Sequence, residues 1–103
     1  MIANLEKMLA GGADSAGLRF TLASSYRSAG DLERAAEHAR AAVRLDADYS
    51  AAWCLLGRVQ AELGQHETAA ETYRHGIEVA ESRGDRQAAK EMRVFLKRLE
   101  RPT

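Results

Sequence analysis

Apolar side chains recur every three or four residues along most of the chain, a spacing that places them on one face of an α-helix. Glycines follow these segments, where a left-handed residue ends a helix, and aspartate or serine residues stand where the next helix begins. The closing positions are Gly11–Gly12, Gly30, Gly64 and Gly84, and the capping candidates are Asp14 or Ser15, Asp31, Asp48 and Asp85. The pattern predicts six helices, over residues 2–10, 15–29, 31–46, 49–63, 66–82 and 86–100. Because the turns between them are short, we expect neighbouring helices to run antiparallel.

The composition favours an all-α fold in one domain. The chain has 103 residues, the size of a single domain, and 46% of them are hydrophobic. Only 6% are aromatic, whereas alanine, which has the highest helix propensity, is the most frequent residue type. The single proline is Pro102, so no obligate helix breaker precedes it. This composition disfavours β-sandwiches, collagen-like chains and disordered linkers.

The sequence repeats itself at a fixed interval. Shifting it against itself so that Leu22 aligns with Leu56 gives seven identities, against roughly two expected by chance from average composition. The other identical pairs are Gly30 with Gly64, Glu33 with Glu67, Ala35-Ala36-Glu37 with Ala69-Ala70-Glu71, and Arg40 with Arg74. This interval, about 34 residues, is typical of a helix-turn-helix solenoid unit.

The second unit resembles the tetratricopeptide repeat (TPR) pattern, which runs Trp-x2-Leu-Gly-x2-Tyr and then Ala-x3-Phe. It matches at Trp53, Leu56, Gly57, Ala69 and Tyr73, and the first unit keeps Leu22, Tyr26 and Ala35. The resemblance implies antiparallel helix-turn-helix repeats stacked as a short right-handed superhelical solenoid. It predicts one domain over 1–103, with a truncated half-repeat at 1–13, repeats at 16–49 and 50–83, and a capping helix at 85–101.

The resemblance also implies a concave surface, lined by the first helix of each unit, that holds a peptide or helix of a partner protein. Helical phase predicts which residues face this groove, if the step from the second unit to the last helix is taken as one residue longer than the repeat. They are Phe20, Ser24, Arg27, Cys54, Arg58, Ala61, Ala89, Arg93 and Leu96, with Glu62 at the rim. Three arginines beside two large apolar side chains favour an acidic partner segment with an apolar anchor. One variant of the family binds a C-terminal carboxylate through lysine and asparagine side chains. This chain has Phe20, Ser24 and Leu55 at those positions, so we do not expect it to bind chaperone tails.

Residues that carry catalysis or hold a metal ion are not evident. His38, His66, His75 and Cys54 fall on different predicted helices, without the spacing that presents ligands to one metal ion. We therefore expect no catalytic, cofactor or metal site, and a non-enzymatic interaction module or adaptor. One cysteine forms no internal disulfide, and the first residues do not resemble a signal peptide, which together favour the cytoplasm.

The charges leave two alternative functions open. Lysine plus arginine and aspartate plus glutamate number 15 each, so no global field favours nucleic acid, which we do not expect as a partner. No apolar stretch is long enough to span a membrane. The last helix carries a basic stripe (Arg86, Lys90, Arg93, Lys97 and Arg101), which favours an anionic surface as the weaker alternative. The stronger one is assembly of a homo-oligomer through Met1, Ile2, Leu5 and Leu9, so we expect a monomer or weak homodimer.

Overall fold

The computed structural model describes residues 1–101, which form six α-helices and no strand. The helices are α1 (Ile2–Ala10), α2 (Ala16–Ser28), α3 (Leu32–Leu45), α4 (Ser50–Glu62), α5 (His66–Arg83) and α6 (Arg86–Glu100). Each predicted range agrees with the observed helix to within one residue at either end. The predicted all-α class is confirmed.

Most helix ends have the chemistry that the sequence indicates. Gly30 and Gly64 adopt left-handed backbone angles, with φ of +82° and +83°, at the turns after α2 and α4. Asp31 and Asp85 accept a hydrogen bond from a backbone N–H in the first turn of the helices that they precede. Asp48 was a wrong candidate for a cap, because α4 begins after Tyr49 and no side chain caps it.

Each helix packs against the next, and α2, α4 and α6 also lie side by side. One cluster of buried residues joins α2, α3 and α4 around Leu22, Ala23 and Ala35. A second cluster joins α4, α5 and α6 around Tyr73 and Met92. Because each helix pair shares its core with the next pair, the chain is a short helical-repeat solenoid with α2, α4 and α6 in one layer.

Two glycines in the second cluster allow side chains to approach a helix backbone closely. A Cβ atom built on Gly57 would lie 2.7 Å from Cδ1 and 2.8 Å from Cζ of Tyr73. A Cβ atom on Gly76 would lie 2.5 Å from Sδ of Met92 and 2.8 Å from Cβ of Trp53. The atoms nearest to a Cβ on Gly57 thus all belong to the ring of Tyr73. Both glycines therefore make room for large side chains of neighbouring helices.

A polar cluster attaches α1 to the rest of the protein. Glu6 on α1 accepts a hydrogen bond from the Tyr26 hydroxyl (3.2 Å), and its carboxylate lies 3.3 Å from Nε2 of His38. The buried His38 ring stacks on Tyr26 with 5.5 Å between ring centroids, and its Nδ1 lies 3.2 Å from the guanidinium of Arg19. Since α1 itself has no buried residue, Glu6 supplies its most specific contacts.

Candidate binding groove

A cleft of about 400 Å³ lies along the layer of α2, α4 and α6, and we call it the groove. Its lining residues are Phe20, Ser24 and Arg27 from α2, Ala51, Cys54, Leu55 and Arg58 from α4, and Asp85, Gln87, Ala88 and Glu91 from α6 and the residue before it. The structure thus brings together five of the predicted groove residues: Phe20, Ser24, Arg27, Cys54 and Arg58. These five lie on α2 and α4, the first helices of the two repeats.

Phe20 and Cys54 supply part of the apolar surface of the groove. Phe20 is half-buried and packs on the Tyr49 ring, with 5.2 Å between the ring centroids. Cys54 is buried, and this burial, aided by the Glu91 carboxylate and opposed by Arg58, raises the pKa of its thiol to about 11. The thiol is therefore neutral at ordinary pH, and Cys54 offers a small apolar surface and no reactive thiolate.

An ion pair closes the groove at the carboxyl ends of α2 and α4. Arg27 donates two hydrogen bonds to Glu62, with Nε–Oε1 and Nη2–Oε2 distances of 2.7 and 2.9 Å. The guanidinium lowers the pKa of the Glu62 carboxyl, which stays ionised. Glu62, which the sequence placed at the rim, does not itself line the cleft and is joined to it through its contact with Arg27. Ala61, also predicted to face the groove, does not line it and packs against the second core cluster.

Arg58 is held beside α6 by an aromatic ring. Its guanidinium lies 5.1 Å from the ring centroid of Phe95, and the guanidinium of Arg98 lies 5.7 Å from the same centroid. The Phe95 ring in turn stacks on Tyr73, 5.9 Å away. Cation–π contact of this kind fixes the direction of Arg58 without using up its hydrogen-bond donors.

The predicted phase of α6 was wrong. Ala89 is buried in the core, Leu96 does not line the groove, and Arg93 forms an ion pair with Glu81 on α5. The cause is Met92, whose side chain is fully buried against Gly76 and sets the rotation of α6. The α6 side of the groove is formed instead by Gln87, Ala88 and Glu91, together with Asp85.

The apolar stripe of α6 contained the signal that the alignment of repeats obscured. In the sequence, Ala88, Met92, Phe95 and Leu99 recur at spacings of four, three and four residues, which indicates the face of α6 that packs on the protein. Glu91 lies beside that face on the α4 side, and Arg93 lies beside it on the α5 side. The phase of this stripe, used without any alignment of repeats, would have placed Glu91 in the groove.

The three histidines do not line the groove. His38 is in the α1 contact, His75 packs edge-on against Trp53 with 4.4 Å between ring centroids, and His66 begins α5. Within residues 1–101, the structure shows no group of three or more histidine, cysteine, aspartate or glutamate side chains that could hold a metal ion. None of the six helices is long and apolar enough to cross a membrane.

Comparison with known proteins identifies the family. Models of the tetratricopeptide repeat match residues 16–59 and 50–83. The chain belongs to the tetratricopeptide repeat family. TPR folds are protein-interaction scaffolds, and the chain is a protein-interaction module of this kind.

Similar proteins and solved structures agree with this assignment. A TPR repeat-containing protein of Pseudomonas aeruginosa is 50% identical over 101 residues, which cover 98% of this chain and 96% of that protein. The solution structure of a Bordetella parapertussis protein has a TM-score of 0.84 and 41% identity, and the match covers 96% of this chain and 86% of that one. A heat-shock protein cognate (HSC) co-chaperone of Aspergillus fumigatus is 40% identical over 68 residues, 66% of this chain and 20% of that protein.

Proposed function

We propose that this TPR protein is an adaptor whose groove between α2, α4 and α6 binds a peptide or helix of a partner protein. In this proposal, residues 16–49 and 50–83 are the two repeats, 1–13 is a truncated half-repeat, and 85–101 is the capping helix. The module is not an enzyme and needs no cofactor. Its partner carries an acidic residue and an apolar anchor.

One observation carries the proposal: Arg58 lies beside an apolar groove floor and is held there by Phe95. Among the residues that the structure describes, no carboxylate oxygen lies within 4 Å of its guanidinium nitrogens, so its donors are open to a partner. Leu55 and Ala88 line the same cleft and supply apolar contact area. A cation over an apolar floor favours a segment with a carboxylate next to an apolar side chain.

The co-chaperone relative supports binding of a protein partner in general. It does not extend the proposal to chaperone tails, because Phe20, Ser24 and Leu55 replace the lysine and asparagine of the carboxylate-binding variant. All three side chains line the groove, and none of them carries a charge.

Charge reversal in the groove tests the proposal. We expect Arg58→Glu to weaken capture of the partner from an extract of the source cells by about 1–3 kcal/mol, roughly ten- to a hundredfold. Circular dichroism should show unchanged helicity, since Arg58 is half-buried at the surface of the core.

The matched control is Lys97→Glu, which makes the same charge reversal on the exposed outer face of α6. It should leave capture unchanged. Loss of capture with Lys97→Glu and full capture with Arg58→Glu would move the binding site to the basic outer stripe of α6 and contradict the proposal.

Self-assembly is the second candidate function. Ile2, Leu5 and Leu9, which were expected in its contact, pack partly buried against the first core cluster, so the exposed methionines at this end of the chain are what favours it. Met1 is 79% and Met8 52% exposed, and Met1, Ile2 and Ala3 line a cleft of about 670 Å³ against α2. Apolar side chains at this end suit contact with a second copy of the chain. Light scattering over a dilution series tests this candidate. If the chain assembles through α1, the measured molecular mass should fall on dilution, and a Met8→Lys variant should stay monomeric.

A further inference from the structure

The charges that line the groove are divided between its two sides. The side formed by α2 and α4 carries Arg27 and Arg58, and the side formed by α6 and the residue before it carries Asp85 and Glu91. The predicted phase of α6 put the basic residue Arg93 here, whereas the structure puts Glu91 here. The groove lining is therefore of mixed charge, with basic residues contributed by α2 and α4 and acidic residues contributed by α6 and the residue before it.

Two of these four charges are already engaged within the protein. Arg27 is held by both carboxylate oxygens of Glu62, and Asp85 accepts the hydrogen bond that caps α6. Arg58 lies over a ring, and Glu91 accepts one hydrogen bond from the neutral side chain of Gln87. Over residues 1–101, neither Arg58 nor Glu91 has an oppositely charged atom within 4 Å.

Arg58 and Glu91 act on the same part of the groove. Cys54 lines the groove with both of them, and its thiol is near enough to both charges that Glu91 raises its pKa and Arg58 lowers it. A partner segment beside Cys54 thus meets the Glu91 carboxylate and, about one helical turn further along α6, the Arg58 guanidinium that lies over Phe95. Charged groups set apart in this way select partners by complementarity and reject those that put like charges together.

We propose that the groove recognises a segment of mixed charge, with a basic residue for Glu91, an acidic residue for Arg58 and an apolar residue between them. This inference rests on the proposed function and narrows the class of partner. A segment with only acidic residues would place a carboxylate against Glu91, and the groove disfavours it. Specificity thus resides in Glu91 as much as in Arg58.

Selection from a display library of short random-sequence peptides tests this inference. The immobilised proteins are the wild type, Glu91→Lys, Arg58→Glu and the control Lys97→Glu, each checked for helicity by circular dichroism. Peptides selected on the wild type and on Lys97→Glu should combine a basic with an acidic residue. Peptides selected on Glu91→Lys should lose the basic residue. A synthetic wild-type-selected peptide should bind Glu91→Lys about tenfold more weakly or worse.

A charge swap sharpens the experiment. The double variant Arg58→Glu, Glu91→Arg should recover affinity for a peptide in which the two charged residues are exchanged. Wild-type-selected peptides that are only acidic and bind Glu91→Gln as tightly as the wild type would overturn this inference and leave the proposed function standing. If no peptide is enriched, or if binding is indifferent to both Arg58 and Glu91, the inference and the groove function both fail.

Discussion

Gly57 is the position where a small change in volume should have the largest effect on stability. A leucine there places its Cβ 2.7 Å from Cδ1 of Tyr73, about 1 Å inside the normal contact distance of carbon atoms. The ring has little room to move, because Tyr73 is 1% exposed and stacks on Phe95. Either α4 and α5 separate or the ring leaves the core. We therefore expect Gly57→Leu to unfold the protein or severely destabilise it.

The magnitude follows from two opposing effects. Replacing glycine by alanine inside a helix stabilises it by about 0.5–1 kcal/mol, whereas overpacking a core costs about 1–3 kcal/mol or more. Gly57→Ala should therefore lower the free energy of unfolding by about 1–2 kcal/mol, and Gly57→Leu by about 3 kcal/mol or more. At about 4–8 °C per kcal/mol, the leucine variant should lose at least roughly 10 °C in thermal midpoint. Urea and thermal unfolding followed by circular dichroism measure both variants.

Gly17 provides the matched control. It is also helical, it is exposed, and a Cβ atom added there meets nothing within 4 Å. Gly17→Ala should leave the midpoint unchanged or raise it slightly. Shortening the opposing side chain should relieve the clash, so Gly57→Leu combined with Tyr73→Ala should be less destabilised than the sum of the two single variants. A wild-type midpoint for Gly57→Leu would refute the contact between Gly57 and the Tyr73 ring.

Three further predictions concern the cap, the thiol and the rim. Deleting residues 85–103 should expose the second core cluster and cause aggregation or loss of cooperative unfolding, and a monomeric product with an unchanged midpoint would show that α6 is no cap. At pH 8, alkylation of Cys54 should be about a hundredfold slower in the folded protein than in urea, as a pKa of about 11 against 9.0 requires, and equal rates would contradict its burial. Glu62→Gln should destabilise the protein at pH 7 but not at pH 2. The pKa of Glu62 is lower in the folded protein than its unfolded value of 4.5, so the ionised carboxylate stabilises the fold above pH 4.5, and this stabilisation is lost as the pH falls through the folded pKa. A difference that persists at pH 2 would assign the effect of Glu62 to packing.

Helix positions and the α2 and α4 side of the groove could be predicted because they depend on local chemistry and on repetition. Left-handed glycines and capping aspartates act within a few residues of the helix end that they define. Residues one repeat apart occupy equivalent places in α2 and α4, so one phase placed Phe20 and Cys54 together. This regularity ends at α6, because the interval from Ser50, where α4 begins, to Arg86, where α6 begins, is longer than the interval from Ala16 to Ser50.

Side-chain contacts between residues far apart in the sequence could not be predicted from the spacing of residue types. The small size of Gly57 is compatible with a close approach of another side chain. That the ring of Tyr73 fills this space depends on the rotamer of Tyr73, which the sequence does not show. The contact of Glu6 with His38 joins α1 to α3 through two residues that match no motif. The place of Glu91 in the groove is different, because it follows from the rotation of α6, which the apolar stripe around the buried Met92 indicates in the sequence.

The attachment of α1 has a consequence for how the molecule opens. No residue of α1 is fully buried, and the helix is joined to α2 through Gly11 and Gly12. It is held by the partly buried Ile2, Leu5 and Leu9 and by the contacts of Glu6, so it gains less from the core than the other helices do. Its amide hydrogens should therefore exchange with solvent through a local fluctuation of low free energy, while those of α4 exchange only when the whole domain unfolds. The solenoid thus has a graded stability along its length, and its amino-terminal end is the first part to become available to proteases or to another chain.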